Sequence, residues 1–202
     1  MKPFREVSGT VLPVDRDNVD TDAIIPQRWL ITVSRNGLGK GLFGGWRYDD
    51  EGRPKPGFAM NLGVFQNARI ILSRSNYGCG SSREHAVWAH LDYGILAVIA
   101  SSFGPIFYDN ALKNGLLPVV LPADQVAALM TQVNEAPGAA CSVSLADNTV
   151  TGPDGRSYPF ALDAVRRDLL LRGGDDIAIT LQMKDQIKRF QECQRLTSPW
   201  LE

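Results

Sequence analysis

Residues 76 to 90, NYGCGSSREHAVWAH, gather hydroxyl, thiol, imidazole, guanidinium and carboxylate groups into one short stretch. Two glycines stand close before Ser81, Ser82 and Arg83, and glycine lets backbone amides approach a ligand closely. A helix N-terminus carries a partial positive charge, so an arginine there is unfavourable unless an anion lies nearby to pair with it. The stretch therefore predicts a site for a carboxylate or a phosphate.

Ser81 also has a purely structural interpretation. Ser81-x-x-Glu84 fits the capping box, in which the serine oxygen accepts a hydrogen bond from an amide of the first helical turn and the glutamate reaches back. Such a cap is worth ~1 kcal/mol. The cap leaves the second serine, the glycines and the arginine unexplained, and we therefore favour a binding role in addition.

Several other chemistries do not fit the sequence. GKGLFG at 39–44 matches G-x-G-x-x-G, but no strand leads into it and no helix follows, so a dinucleotide site is not predicted. Glu84 stands where the nucleophile elbow of a serine hydrolase needs glycine. His85 and His90 are separated by roughly 140° around a helix, so the two imidazoles are not predicted to bind one metal ion. No metal site is expected in this chain.

The elements that must position this stretch follow from the apolar pattern. A strand at 6–14 leads into an Asp-rich loop, and from Arg69 onward strands alternate with helices, which favours a parallel sheet with short connections. Residues 141–160 are typical of short strands, with a hairpin turn at Asp154-Gly155. The segment 35–57 is rich in glycine and has no helical or strand period, so it is predicted to be an irregular loop that is functional or mobile. The predicted later strands lie at 69–73, 95–100 and 116–122, and the predicted helices lie after 81 and at 102–115, 123–133, 163–174 and 185–194.

Composition narrows the class of protein. The 202 residues carry 21 basic and 22 acidic side chains with no basic stripe, so nucleic acid is not an expected partner. No apolar run approaches the ~18 residues that span a bilayer, and the first residues lack a signal-peptide hydrophobic region. Cys79, Cys141 and Cys193 are odd in number and far apart, which predicts reduced thiols. We expect one α/β domain over residues 1–202, with a mixed sheet and a cytoplasmic location.

Three motifs in order carry a resemblance to a known family. GCGSSREHA, preceded by NVDTDAIIP and followed by SFGPIFYDNALKNGLLPV, resembles the small subunits of 3-isopropylmalate dehydratase, which share a swivelling domain with aconitases. The LFGGWRY segment and the LDAVRRDLLLRGGDDIAITL tail are typical of the bacterial form, so the resemblance covers nearly the whole chain. It implies a β/β/α three-layer swivel domain, like the aconitase C-terminal domain, that caps a large subunit carrying a [4Fe-4S] cluster.

The resemblance also implies a reaction and roles for individual residues. The reaction is the isomerisation of 2-isopropylmalate to 3-isopropylmalate through an alkene diacid, in leucine biosynthesis. By the match, Ser81 is the general base, Ser82 donates a hydrogen bond to a substrate carboxylate, and Arg83 binds a carboxylate. Expulsion of hydroxide needs a Lewis acid, and this chain has no cysteine trio at cluster spacing, so the metal must come from a partner.

Further candidates lie around these three residues. An aspartate of the VDTDAIIP loop could orient Arg83, although an Asx-turn before Pro26 explains the loop equally well. Cys79 is expected to be a small packing residue. In the glycine-rich segment, basic residues could reach a substrate carboxylate and apolar residues could contact an isopropyl group. These candidates are Asp20 and Asp22 in the first loop, Glu84 and His85 in the motif, and Arg35, Lys40, Leu38, Leu42 and Phe43 in the segment.

The sequence departs from the bacterial pattern EHAPWAL at two positions. Val87 replaces a proline in the first turn of the helix, where proline is tolerated but not required. His90 replaces a leucine, and it is either a surface residue or the sign of a relative that acts on another substituted malate, such as a citraconate or dimethylmalate hydratase. A non-catalytic anion-binding module that kept the fold is a further alternative.

Overall fold

The computed structural model describes residues 1–31, 34–81, 83–174, 177, 180–181, 183–198 and 200. The strands of this part of the chain are β1 (Glu6–Val14), β2 (Ile70–Ser73), β3 (Ala97–Ala100), β4 (Leu117–Val120), β5 (Ala140–Ser144), β6 (Thr149–Thr151) and β7 (Ser157–Pro159). The α-helices are α1 (Thr21–Ile24), α2 (Gly44–Arg47), α3 (Glu84–Tyr93), α4 (Pro105–Asn114), α5 (Ala123–Glu135), α6 (Ala164–Arg172) and α7 (Lys184–Thr197). Short 3-10 helices lie at Gln27–Trp29, Leu38–Gly41, Ala59–Asn61 and Gly63–Phe65.

Strands β1 to β4 form the parallel half of the sheet. β2 lies between β1 and β3, and β4 lies at the edge. Every residue of β2 and β3 is buried, because helices cover both faces of the sheet, as is usual for parallel strands. Ile70 and Leu72 face a core that includes α5, whereas Ile71 faces a second core that includes α3 and α4. The predicted strand and helix order of this half is confirmed.

The other half of the sheet is antiparallel and begins on the same first strand. Residues 6–10 of β1 pair with β5, and residues 11–14 pair with β2. The complete order is β4-β3-β2-β1-β5-β6-β7, so β1 joins the two halves into one seven-stranded mixed sheet. The turn between β6 and β7 contains Gly155 with a φ of 82°, which confirms the hairpin predicted at this point. The predicted mixed α/β fold is therefore confirmed.

The glycine-rich segment 35–57 differs from its prediction as an irregular loop. It contains a 3-10 helix and α2, and it packs against α3. The Gly39 amide donates a hydrogen bond to Asp92 Oδ2 at 2.7 Å, and a Cβ on Gly39 would lie 2.6 Å from the backbone nitrogen of Tyr93. This glycine therefore permits close contact between two backbones. From composition alone, a glycine required at such a contact cannot be told from a glycine in a mobile loop.

The apolar side chains of the same segment belong to the core. Leu38, Leu42 and Phe43 are at most 1% exposed and pack with residues of α3 and α4. The expectation that they contact a substrate isopropyl group is therefore wrong. Their burial gives the segment its fixed structure, because an apolar side chain gains ~2 kcal/mol on leaving water.

The last two described helices follow the second half of the sheet. Asp163 caps α6 by accepting hydrogen bonds from the amides of Val165 and Arg166, each at 3.1 Å, and Gly173 ends the helix in the left-handed region. Both α6 and α7 confirm predicted helices. Within the described residues, no helix combines the length and the apolar character that crossing a membrane requires. The extent of the domain, residues 1–202, stays a prediction.

Candidate active site

The connections that leave the carboxyl ends of β1, β2 and β3 meet at one place. The Gly78 amide, after β2, donates to the Val19 carbonyl, after β1, at 2.7 Å. The Gly104 amide, after β3, donates to the Tyr77 carbonyl at 2.8 Å. The stretch 76–90 therefore begins between two neighbouring connections. They lie at the carboxyl ends of the parallel strands, where ligand sites commonly form.

Two glycines set the path of this turn. Gly78 and Gly80 have φ values of 73° and 86°, a region that side chains with a Cβ disfavour. A Cβ on Gly78 would lie 2.2 Å from Cγ of Phe107, and a Cβ on Gly104 would lie 2.5 Å from the Gly78 carbonyl oxygen. The glycines thus let the turn pack tightly against α4, which fixes its backbone.

A cleft of about 150 Å³ opens at the turn, and Ser81, which is exposed, is one of its lining residues. Thr21, which is 2% exposed, donates a hydrogen bond from its hydroxyl to the Ser81 carbonyl at 2.8 Å. The backbone of Ser81 is therefore held while the residue stays accessible to solvent. The cleft is lined by Thr21, Asn76, Gly78, Cys79, Gly80, Ser81, Arg83, Gly104, Pro105, Ile106 and Phe107.

The start of α3 differs from the predicted capping box. The helix begins at Glu84, and its N-cap is Arg83, which has extended backbone and whose side chain makes no capping hydrogen bond. Ser81 lies two residues before the cap, and the Glu84 carboxylate accepts a hydrogen bond from Asn114 Nδ2 at 2.8 Å. The cap prediction is wrong because the Ser81 carbonyl accepts a hydrogen bond from the Thr21 hydroxyl, and helical backbone begins only after this contact. Ser82 lies outside the described residues.

Arg83 is held by an aspartate of the first connection. Its Nη1 donates to Oδ1 of Asp22 in α1, and the Arg83 side chain is only 22% exposed. Asp20 has a different position, because its Oδ1 accepts a hydrogen bond from the Ala23 amide at 2.7 Å and caps α1. Of the two aspartates that sequence reasoning could not tell apart, Asp22 contacts the guanidinium and Asp20 supports the helix that carries Asp22.

Other candidates lie away from the cleft. The His85 ring packs against Trp88 with 4.8 Å between ring centroids, and the Arg35 guanidinium lies 4.9 Å from the centroid of the same indole. Arg35 lines a separate, open pocket with Trp88, and Lys40 lines another one with Tyr48. The described part of the chain therefore brings together Ser81, Arg83, Asp22 and Asp20, but neither Arg35 nor Lys40 lines their cleft.

A buried polar pair beneath the turn was not found by sequence reasoning. Tyr77 Oη lies 2.7 Å from His90 Nε2, and His90 Nδ1 lies 2.6 Å from the Ala86 carbonyl oxygen. A carbonyl only accepts, so Nδ1 carries the proton and Nε2 accepts from the tyrosine hydroxyl. The interpretation of His90 as a surface residue is wrong, because the residue is fully buried. Nothing in the sequence links a tyrosine to a histidine 13 positions later, since the pairing depends on the turn between them.

Burial controls the ionisation of this pair. It lowers the pKa of His90 from 6.5 to about 4, against the opposing effect of the Ala86 carbonyl, and it raises the pKa of Tyr77 well above its usual value. Both side chains are therefore neutral at physiological pH. The pair acts as a hydrogen bond inside an apolar cluster and not as a source of charge.

The cysteines do not fit the ligand set of an iron–sulfur cluster. Cys79 lies in the turn, Cys141 is buried in β5 and Cys193 is exposed on α7, so the three thiols lie on separate elements. In the part of the chain that the structure describes, no three His, Cys, Asp or Glu side chains gather as a metal site. Burial, with a smaller effect of Asp20, raises the pKa of the Cys79 thiol, which disfavours the thiolate that a metal binds.

Comparison with known proteins assigns the family. The model of the aconitase C-terminal domain matches residues 1–124, and a model described as LeuD_N matches residues 127–164. The model for the C-terminal domain of the 3-isopropylmalate dehydratase small subunit matches residues 176–202. The chain is 57% identical to 3-isopropylmalate dehydratase small subunit 1 of Bordetella pertussis, with 100% of both chains covered. It is 47% identical to the 3-isopropylmalate dehydratase small subunit of Dechloromonas aromatica, with 100% of this chain and 99% of the relative covered.

A solved structure agrees with these matches. The crystal structure of a 3-isopropylmalate dehydratase chain from Methanocaldococcus jannaschii superposes with a TM-score of 0.66 and 29% identity, covering 91% of this chain and 99% of that one. The predicted aconitase C-terminal-domain-like fold is thereby confirmed. Because relatives, domain models and fold agree over almost the full length, the chain belongs to the family of 3-isopropylmalate dehydratase small subunits.

Proposed function

We propose that this chain is the small subunit of a two-chain hydro-lyase that isomerises 2-isopropylmalate to 3-isopropylmalate in leucine biosynthesis, in the cytoplasm. The first half-reaction removes the hydroxyl from C2 and a proton from C3, which gives 2-isopropylmaleate. The second half-reaction adds water back with the hydroxyl on C3 and the proton on C2. Full-length similarity to small subunits of this enzyme supports the proposal.

The observation that carries the proposal is the Arg83–Asp22 ion pair beside the exposed Ser81. An arginine oriented by a carboxylate presents a planar set of donors that suits a substrate carboxylate. Ser81 lies two residues earlier in the chain, is exposed and lines the same cleft. A cation that binds the diacid and a hydroxyl that reacts with it are thus parts of one short segment.

Ser81 acts as the base in this proposal. A serine hydroxyl loses its proton only where the alkoxide is stabilised, and two features supply positive potential at the cleft. The first is the Arg83 guanidinium. The second is the N-terminus of α4, because Pro105, Ile106 and Phe107 of its first turn line the same cleft and a helix N-terminus carries a partial positive charge. Ser81 would take the proton from C3 and return it to C2 when water adds.

Arg83 and Ser82 bind substrate in this proposal. Arg83 holds one carboxylate, which places the carbon that loses its proton next to Ser81. Ser82 donates a hydrogen bond to a carboxylate, a role taken from the resemblance of the GCGSSREHA motif. These roles separate binding from proton transfer, so substitutions at Ser81 and Arg83 should affect different kinetic constants.

A second chain completes the site in this proposal. A cleft of about 150 Å³ is smaller than the ~300 Å³ at which pockets for small molecules usually begin, so these residues form part of a site. Hydroxide is a poor leaving group and needs a Lewis acid, which the cysteines of this chain are not arranged to hold. We assign that role to a [4Fe-4S] cluster on the large subunit.

Replacement of Ser81 tests the assignment. In the reconstituted two-chain enzyme, Ser81→Ala should lower kcat for 2-isopropylmalate by at least ~100-fold, the usual effect of losing a general base, while KM changes little. Ser157→Ala, at an exposed position of β7, is the matched control and should keep the wild-type kcat. Wild-type turnover by the Ser81→Ala enzyme would contradict the general-base role.

A further inference from the structure

The Tyr77–His90 hydrogen bond connects the residue before the Ser81 turn with the helix after it. Tyr77 directly precedes Gly78, where the turn begins, and His90 lies in the second turn of α3, which begins directly after Arg83. The contact of 2.7 Å between Tyr77 Oη and His90 Nε2 therefore ties the residue before the turn to the helix that follows the turn. Within this span, the turn changes direction at two glycines with positive φ.

The surroundings of the pair make its geometry specific. Three aromatic rings pack around it, and the ring centroid of His90 lies 6.2 Å from that of Phe43 and 5.7 Å from that of Phe107. Phe103 packs edge-on against Tyr77 at 6.1 Å. In such a dry environment an unpaired polar group is costly, so the tyrosine hydroxyl and the imidazole are held to each other.

The same cluster contacts the turn itself. Phe107, which lies 5.5 Å from Tyr77 between ring centroids, occupies the space that a side chain on Gly78 would need. A shift of Tyr77 or His90 would therefore move Phe107 and the backbone at Gly78 together. The Tyr77 backbone is itself fixed, because its amide donates to Ser102 and its carbonyl accepts from Gly104.

We infer that Tyr77 and His90 are a matched pair of positioning residues that hold the Ser81 turn in register with α3. This inference rests on the proposed function only in its kinetic consequence, since the pair and the turn it spans are described independently of any reaction. Arg83 has its own anchor in Asp22 and depends less on the pair. Loss of the pair should therefore reduce kcat more than it raises KM.

A set of three variants tests this inference in the reconstituted enzyme. Tyr77→Phe leaves the His90 acceptor unpaired, and His90→Leu leaves the tyrosine hydroxyl unpaired. Each should lower kcat by about tenfold, as expected for a loss of about 1.4 kcal/mol, with KM within about twofold. The double variant Tyr77→Phe/His90→Leu removes both polar groups and should recover kcat to within about threefold, because an apolar pair leaves nothing unsatisfied.

Tyr158→Phe is the matched control for a general loss of stability. Tyr158 is also buried, and its hydroxyl accepts from Gln132 at 3.4 Å, but it lies on β7 at the far edge of the sheet. This variant should keep the wild-type kcat. Single variants at Tyr77 or His90 with wild-type kcat, a double variant as impaired as either single one, or an equal loss in Tyr158→Phe would each overturn the inference.

Amide hydrogen exchange provides a readout that needs no turnover. Each single variant should raise deuterium uptake in residues 78–83 by at least about threefold, and the double variant should restore the wild-type rate. If the wild-type enzyme failed to turn over 2-isopropylmalate, the proposed function would fail while this exchange pattern still tested the pair. Unchanged exchange in both single variants would overturn the inference even in an active enzyme.

Discussion

Arg83 and His90 lie on the same stretch of chain, yet their surroundings give them opposite electrical roles. Arg83 stands at the edge of the cleft with Asp22 beside it, and a guanidinium is a permanent cation. His90 lies among aromatic rings, where burial lowers its pKa and keeps the imidazole neutral. The site therefore receives its positive charge from one of these residues and its rigidity from the other.

The ionisation of His90 predicts a pH dependence of stability. The pKa is about 4 in the folded chain and 6.5 in the unfolded chain, so between these values the unfolded state binds more protons. The contribution of His90 to the free energy of unfolding should be fully present above pH 6.5 and should fall by about 3 kcal/mol as the pH drops to 4. Urea unfolding between about pH 4 and pH 8 would measure it.

The variant His90→Leu isolates this contribution. All other titratable groups are present in both proteins, so the difference between the two pH curves belongs to position 90. Wild-type stability should decline more steeply than that of His90→Leu below pH 6.5. Parallel curves would show that His90 is not held neutral in the folded state.

At the scale of elements, the site depends on how tightly the Gly78 turn packs against α4. The turn has little freedom because Phe107 faces Gly78, and Gly104 faces the Gly78 carbonyl. The amide of Thr21 also donates to the carbonyl of Cys79, next in the turn, at 3.0 Å. Contacts from α4, its N-cap residue Gly104 and α1 thus fix a backbone whose conformation residues with a Cβ disfavour.

Gly78→Ala should destabilise the chain strongly. A left-handed conformation costs an alanine ~1 kcal/mol, and a methyl group 2.2 Å from Phe107 adds the cost of overpacking, also at least ~1 kcal/mol. Gly155→Ala is the control, because its φ of 82° carries the same strain while no atom lies within 4 Å of the added methyl. Urea unfolding should show a loss of about 3 kcal/mol for Gly78→Ala and about 1 kcal/mol for Gly155→Ala. Equal losses would show that α4 yields to the methyl group.

The elements also show what could be predicted from sequence and what could not. β2, β3 and β4 were predictable because continuous apolar runs between turn residues indicate buried parallel strands. The start of α3 was not, because the local Ser81-x-x-Glu84 pattern competes with a hydrogen bond from Thr21, which is distant in sequence. The fixed structure of segment 35–57 could not be predicted either, because composition does not distinguish a glycine at a backbone contact from a glycine in a loop.

At the scale of the whole molecule, the long strand β1 joins a parallel and an antiparallel half of the sheet, which have different roles. The parallel half on β1 supplies the three connections around the cleft, and the antiparallel half extends the sheet away from them. Ser81, which is exposed, lines this cleft of about 150 Å³. The proposed large subunit would cover the exposed Ser81.

The two-chain proposal predicts an activity that appears only on mixing. The chain alone should give no measurable turnover of 2-isopropylmalate, because nothing in its described residues gathers the ligands of a Lewis acid. Addition of the large subunit with its cluster should start turnover, followed by the ultraviolet absorbance of the alkene diacid. Full activity of the purified small subunit would contradict the proposal.

The convergence of three connections on one cleft has an evolutionary consequence. Ser81, Arg83 and Asp22 all lie between secondary-structure elements or in the first turn of a short helix, and none lies within a strand. The sheet can therefore conserve its core while the connections diversify, and the connections can diversify without rebuilding the core. Substitutions confined to these connections could therefore change which diacid is preferred as substrate, while the fold stays the same.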